Sequence, residues 1–390
     1  MKRFLVFCGL LAVSICAFFA EGSANQKKFI RGNIAEKTAA VKESDGSEAV
    51  LLSKAAIQFC MDNKEVLGED RDLAALCVAG VLSIPTKYIV DAEEKERQWF
   101  FDSFYKIYRT YADTTVEIAV LNKISSFEVS NSMFTSLLND YLKSRMPASD
   151  DVALLKTIIS TLGKIGNDDS FFVLQNLSSD PSWKEFQSVI EASQVELSVK
   201  AMDAILALVR DADAEKCRNV LNLVQKNTKS SNAFKATIAE NVLARTIYIA
   251  ESTNAYDAEL VTLQLDAYKI LVDLNWTRSS ETVVRFYEKS KSKYESKEVT
   301  EEQFVQVVLG LKNTVPLKAV SLLCEHLSQL NKMMEQNEQS VSENLVFSII
   351  QTLGAIGDKN AFDSLLAVTY YNYSDTVISS ARDALARLKW

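Results

Sequence analysis

Residues 158–171 read Ile-Ile-Ser-Thr-Leu-Gly-Lys-Ile-Gly-Asn-Asp-Asp-Ser-Phe, and the pattern returns at 349–362 as Ile-Ile-Gln-Thr-Leu-Gly-Ala-Ile-Gly-Asp-Lys-Asn-Ala-Phe. Such a return marks a chain built by stacking one supersecondary unit, because no single copy can bury its own apolar face. The isoleucines and leucine give one stripe at helical spacing, and Gly163 or Gly354 within it leaves room for a neighbouring helix to come close. Gly166 and Gly357 follow the last apolar turn, where a residue in the left-handed conformation stops a helix. Asn167 to Asp169 and Asp358 to Asn360 then offer caps for a second helix beginning near Phe171 or Phe362. The stretch predicts a tight helical hairpin, with its best copies at 150–179 and 341–372.

The pattern Leu-Gly-x-Ile-Gly-[Asn/Asp]-x-x-[Ser/Ala]-Phe resembles the short HEAT repeats of bacterial proteins, including those of the phycobilisome-lyase type. Two weaker echoes exist: 204–215 lacks both glycines, whereas 307–319 keeps Leu309-Gly310 and puts Pro316 at a helix start. The resemblance implies an all-α superhelix, a HEAT/ARM-like solenoid of stacked antiparallel hairpins over 47–390. It also implies a protein-binding role for the surface of the array.

Local signals agree with a helical chain. Capping-box spacing recurs at Asp91/Glu94, Thr114/Glu117, Ser182/Glu185, Ser193/Glu196, Thr300/Gln303 and Ser340/Glu343, with no run of alternating polar and apolar residues. Apolar residues make up 48%, with only 4 prolines and 11 glycines, which is too apolar for disorder and too poorly punctuated for an all-β fold. The first 24 residues, with Lys2-Arg3, an apolar run over 4–20 and small residues behind it, have the layout of a secretory signal peptide. Cleavage there predicts an exported, periplasmic or extracellular protein with no integral membrane span in the mature chain. Residues 25–46 are polar and mildly basic and read as a flexible leader.

Charge and cysteine usage narrow the function classes. The net charge of −8 becomes −9 once Lys2, Arg3 and Glu21 are removed, which argues against nucleic acid, whose recognition needs a basic face. After cleavage four scattered cysteines remain, Cys60, Cys77, Cys217 and Cys324, without the spacing of a zinc site or a disulfide framework. Cys60 and Cys77 lie on successive helices and could form a disulfide across a hairpin in an oxidising compartment, but counting back from the turn puts them at unequal heights, which favours reading all four as small buried side chains.

No catalytic, cofactor-binding or metal-ligating set emerges. His326 is the sole histidine, its neighbours Leu322, Leu323 and Leu330 mark a packed position, and Cys324 points elsewhere. The acids at Asp150-Asp151, Asp168-Asp169 and Asp211, Asp213 and Glu215 lack the spacing of a calcium loop and read as helix caps. In 91–111, Phe100, Phe101, Phe104, Tyr105, Tyr108 and Tyr111 share an arc that reads as core, while Trp99 points away as either a packing residue or a partner contact. Tyr370, Tyr371 and Tyr373 are further partner-contact candidates. The six basic residues over 278–297 are interleaved with Glu281, Glu288, Glu295 and Glu298, as on a solvated helix face. The helix expected over 375–390 has no successor and reads as a cap or as half of an oligomer contact.

The leading expectation is thus a non-catalytic exported scaffold that binds another protein. Two alternatives stand beside it: an extracytoplasmic α/α-toroid carbohydrate-active enzyme with two working carboxylates, and a membrane-anchored envelope protein with the same scaffold role.

Overall fold

Asp70, Asp113, Asp151, Asp213 and Asp257 each stand one residue before a helix and accept amides of its first turn at 2.7–3.4 Å. Each cap satisfies donors the helix leaves orphaned and contributes about 1 kcal/mol. The computed structural model describes residues 23–67, 70–127, 131–147, 151–253, 257–336 and 341–389, and 21 α-helices lie within them. Among the described residues there is no strand, only an isolated bridge between Asp358 and Lys389. The protein is all-α, and its helices pack against their sequence neighbours.

The chain forms two units, Met1–Ala201 and Met202–Trp390. The first holds α1 (Ala24–Arg31), α2 (Ile34–Glu43), α3 (Gly46–Leu67), α4 (Arg71–Ser83), α5 (Thr86–Asp91) and α6 (Glu94–Thr110). It continues with α7 (Thr114–Ser125), α8 (Ser132–Lys143), α9 (Val152–Ile165), α10 (Asp168–Ser179), a 3-10 turn at Pro181–Phe186 and α11 (Gln187–Leu197). Helices α2, α4, α7, α9 and α11 form a row in which each packs on the next, with α3, α6, α8 and α10 laid against it. The second unit comprises α12 (Met202–Asp211), α13 (Ala214–Lys226), α14 (Asn232–Thr253), α15 (Ala258–Asp273), α16 (Ser280–Glu295) and α17 (Glu301–Thr314). Then come α18 (Pro316–Glu335), α19 (Glu343–Ile356), a 3-10 turn at Lys359–Ala361, α20 (Phe362–Val368) and α21 (Asp375–Ala386). Its row runs α14, α15, α17, α19, α21, with α16 and α18 against one side.

The repeated glycines set how closely the rows pack. A Cβ added at Gly163 of α9 would lie 2.8 Å from the Ser193 Cα of α11, and one at Gly354 of α19 would lie 2.8 Å from the Ala384 Cβ of α21. The contact falls thirty positions downstream in each copy, so the same crossing is built twice. Gly310 of the weaker echo packs α17 on α15, with Tyr268 Oη 2.6 Å from where its Cβ would be.

Several expectations change. Gly357 is left-handed at φ 73, but Gly166 is extended at φ −64, ψ 177. The chain passes from Gly166 straight into the Asn167–Ser170 capping box of α10, and a Cβ at 166 would meet the Leu162 carbonyl oxygen at 2.3 Å. Residues 25–46, expected as a flexible leader, contain α1, α2 and the start of α3. Ser23 with Gln26 and Asn33 with Glu36 form capping boxes there, and Phe29, Ala40 and Val41 are buried. Burial of Phe29 and Val41 contributes about 1.5–3 kcal/mol each, which offsets the ordering cost that the polar composition suggested would go unmet.

Of the five expected capping boxes that lie within the described residues only Thr300/Gln303 forms. Asp91 ends α5, Thr114 is the first residue of α7 behind its cap Asp113, Ser182 lies in a 3-10 turn and Ser193 is inside α11. The α19 cap is Ser342, and Ser340 lies outside the described residues, as do Asp150 and the segment 1–22 that carries the expected signal peptide. Helix α21 ends at Ala386 rather than running to 390, because the chain turns so that the Lys389 amide donates to the Gly357 carbonyl at 2.8 Å.

Candidate functional site

Lys297 and Asn275 are the described non-glycine residues with positive φ, 63° and 50°, and both end helices around one cleft. After α16, the Lys297 amide donates to the Tyr294 carbonyl at 3.0 Å and the Glu298 amide to the Lys293 carbonyl at 2.8 Å. After α15, Asn275 donates to Val272 at 3.1 Å and Trp276 to Leu271 at 2.9 Å. This paired bonding is the Schellman stop, usually made with glycine. The first of the two stops turns the chain so that Val299 folds back into the buried interior.

The cleft between α14, α15, α16 and α17 has a volume of about 400 Å³, within the range of small-ligand sites. Ile247, Val261, Leu265, Phe286, Val299 and Val307 form apolar walls. The packing behind them is fixed by Tyr268, whose ring lies 5.2 Å from that of Phe286 and whose hydroxyl donates to the Val307 carbonyl at 2.9 Å. Burial pushes the Tyr268 phenol well above its ordinary pKa, so it remains a neutral donor.

Two polar side chains also line the cleft, Gln264 from α15, 5% exposed, and Ser290 from α16, 6% exposed. Neither has a hydrogen-bond partner among the described residues. Charged groups complete the lining. Glu251 pairs with Arg285 and with Lys289, the latter at 3.2 Å. Partial burial pushes the Glu251 carboxyl up, but hydrogen bonds from Lys289 and Arg285 outweigh it and hold the group below its usual range. Glu298 accepts from the Ser296 hydroxyl at 3.1 Å. Lys293, half-buried and one turn from Ser290, has no carboxylate partner among the described residues.

The residues singled out from the sequence lie elsewhere. Trp99 is half-buried, edge-on to Phe100 at 5.1 Å and beneath Lys54 Nζ at 5.4 Å, a packing position between α6 and α3. Of the tyrosine cluster, Tyr370 is 78% exposed, Tyr371 half-buried and Tyr373 buried, with its hydroxyl 3.0 Å from Asn331 Oδ1. His326 is buried, with Nδ1 2.8 Å from the Tyr287 hydroxyl and its ring 5.8 Å from that of Phe304. Burial, reinforced by Lys291, lowers its pKa to about 3, which suits a neutral packed imidazole.

Cys60 and Cys77 correct the expectation of unequal heights. Because α3 extends to Leu67, Cys60 lies seven residues before its end and Cys77 six after the start of α4. Both thiols are free and fully buried, Cys60 Sγ donates to the Leu73 carbonyl oxygen at 3.6 Å, and the nearby Cys60 together with burial pushes the Cys77 thiol up.

The basic stretch 278–297, expected as a solvated face, instead contributes Lys289 and Lys293 to the cleft through α16. Val283, Phe286 and Ser290 at helical spacing are the trace of that buried edge in the sequence. The partner groups Gln264 and Glu251 come from other helices and leave no such trace. Among the described residues, no group of three His, Cys, Asp or Glu side chains is placed to hold a metal ion, and no helix is long and apolar enough to cross a membrane. Neither a protein-family model nor a curated protein matches this sequence.

Proposed function

We propose that this chain is an exported, non-catalytic scaffold, a HEAT-like helical array whose surface holds another protein. The supporting observation is the crossing made twice with the same thirty-residue offset, Gly163 on Ser193 and Gly354 on Ala384. Stacking of like units spreads stability over neighbour contacts and leaves extended helix faces available to a partner. The buried and hydrogen-bonded state of the sole histidine, His326, is in keeping with a structural role for that residue. Tyr370 is the contact residue of choice, since an exposed aromatic ring gains most from being covered.

The test is a photo-crosslinking amino acid placed at Tyr370, and separately at the exposed Tyr248 and Leu317, in the protein expressed in its native cell. A discrete adduct with one protein at Tyr370 is expected. The absence of an adduct at all three positions overturns the reading. The mass of the secreted chain reports separately on signal cleavage.

A further inference from the structure

We propose that the α14–α17 cleft binds a small organic carboxylate with an apolar body, its carboxylate held by Lys293 and Ser290 and a second polar group met by Gln264. This inference is independent of whether the array also holds a protein partner.

Three observations carry it. The volume of about 400 Å³ exceeds what a few waters need and suits a ligand of some ten heavy atoms with room to spare. The lining is mixed: Ile247, Val261, Leu265, Phe286, Val299 and Val307 supply apolar wall, and Gln264 and Ser290, more than nine-tenths buried, face the same space with no hydrogen-bond partner among the described residues. Their amide and hydroxyl open onto the cleft, where a ligand can supply the bonds that no described protein group makes.

The charges give the sign of the ligand. Glu251 is occupied by Arg285 and Lys289, so it is a poor site for a further cation. Glu298 is exposed and accepts from Ser296. Lys293 remains as a half-buried ammonium with no carboxylate partner among the described residues, on the same face of α16 as Ser290. An anion placed there gains a charge-assisted bond from the lysine and a second from the hydroxyl. Only a ligand with an apolar body fills the remaining volume without leaving further polar groups unpaired.

The decisive measurement is calorimetric titration of the full chain with octanoate, octylamine and octanol. Octanoate is expected to bind, with octanol at least tenfold weaker and octylamine, protonated at neutral pH, weaker still, the discrimination of a charge-assisted bond. A parallel titration with acetyl-leucyl-leucine and its amide tells whether the carboxylate is best presented by a free acid or by a peptide C-terminus. Binding of either carboxylate form over its neutral counterpart supports the proposal. Lys293→Met keeps the aliphatic stem and so the fold, and is expected to weaken carboxylate binding tenfold or more. Gln264→Leu should also weaken it, and Lys332→Met, which removes the same charge outside the cleft, should not. Equal binding of all three octyl compounds, no binding of either carboxylate at millimolar concentration, or unchanged affinity in a folded Lys293→Met protein would overturn the proposal.

Discussion

Replacing Gly163 with alanine sets two opposed effects against each other. Helix propensity alone favours alanine by about 0.8–1 kcal/mol in a helix interior. At this position, however, the new Cβ would lie 2.8 Å from the Ser193 Cα, 2.9 Å from its Cβ and 3.1 Å from its carbonyl oxygen. Two of those three atoms are backbone, so the clash is relieved only by moving α11 away from α9, which carries Leu155, Ile158, Ile159 and Leu162 in the buried interior. Overpacking of this kind costs about 1–3 kcal/mol, and the helix-crossing geometry places the cost at the upper end. The net expectation is a loss of about 1–2 kcal/mol. For a unit of this size that corresponds to a fall of roughly 2–8 °C in the melting temperature followed by circular dichroism. Gly80→Ala is the control, since its Cβ would meet the Ala56 Cβ at 3.1 Å and the Ile57 Cγ1 and Ser53 carbonyl oxygen at 3.4 Å, contacts that need only a few tenths of an ångström of adjustment. It should be the milder substitution by about 1 kcal/mol or more. If Gly163→Ala melts at or above the wild-type temperature, propensity governs the site and the tight crossing is wrong.

Three further outcomes are expected. His326 has its folded pKa lowered from 6.5 to about 3, so between those values the unfolded chain takes up a proton that the folded one refuses. Wild-type protein therefore loses stability as pH falls through that window while His326→Gln does not, and the difference in their urea midpoints at pH 7 should narrow at pH 5. Tyr373→Phe leaves the Asn331 Oδ1 buried without its donor and should cost about 1–3 kcal/mol by urea denaturation, whereas Tyr370→Phe at the exposed position should change nothing measurable. Trypsin should spare Lys27, Lys28, Arg31, Lys37 and Lys42 in the native protein because α1 and α2 are packed, and Val41→Asp should release cleavage there. Rapid native cleavage at those sites would restore a flexible leader.

The hairpin at 158–171 was legible because every part of it is local: apolar stripe, crossing glycine and cap lie within one short window. The all-α class was legible for the same reason. Misreadings arose wherever local rules compete. Aspartate at 113 outcompetes Thr114 as a cap, Lys297 and Asn275 take positions where glycine is the usual signal, and Phe29 and Val41 are too few to mark two short helices as packed.

The sequence by itself determined that the chain is helical, where its best repeat unit lies, and that its one histidine sits among leucines. Only the tertiary structure decided that Cys60 lies beside Cys77, and that α1 packs on α2 and α2 on α3 and α4. It also decided that a basic helix face closes a cleft over Gln264. The physical reason is range: periodicity and capping act over one or two turns, whereas a cleft is made by side chains from four helices whose meeting depends on how α14 to α17 pack.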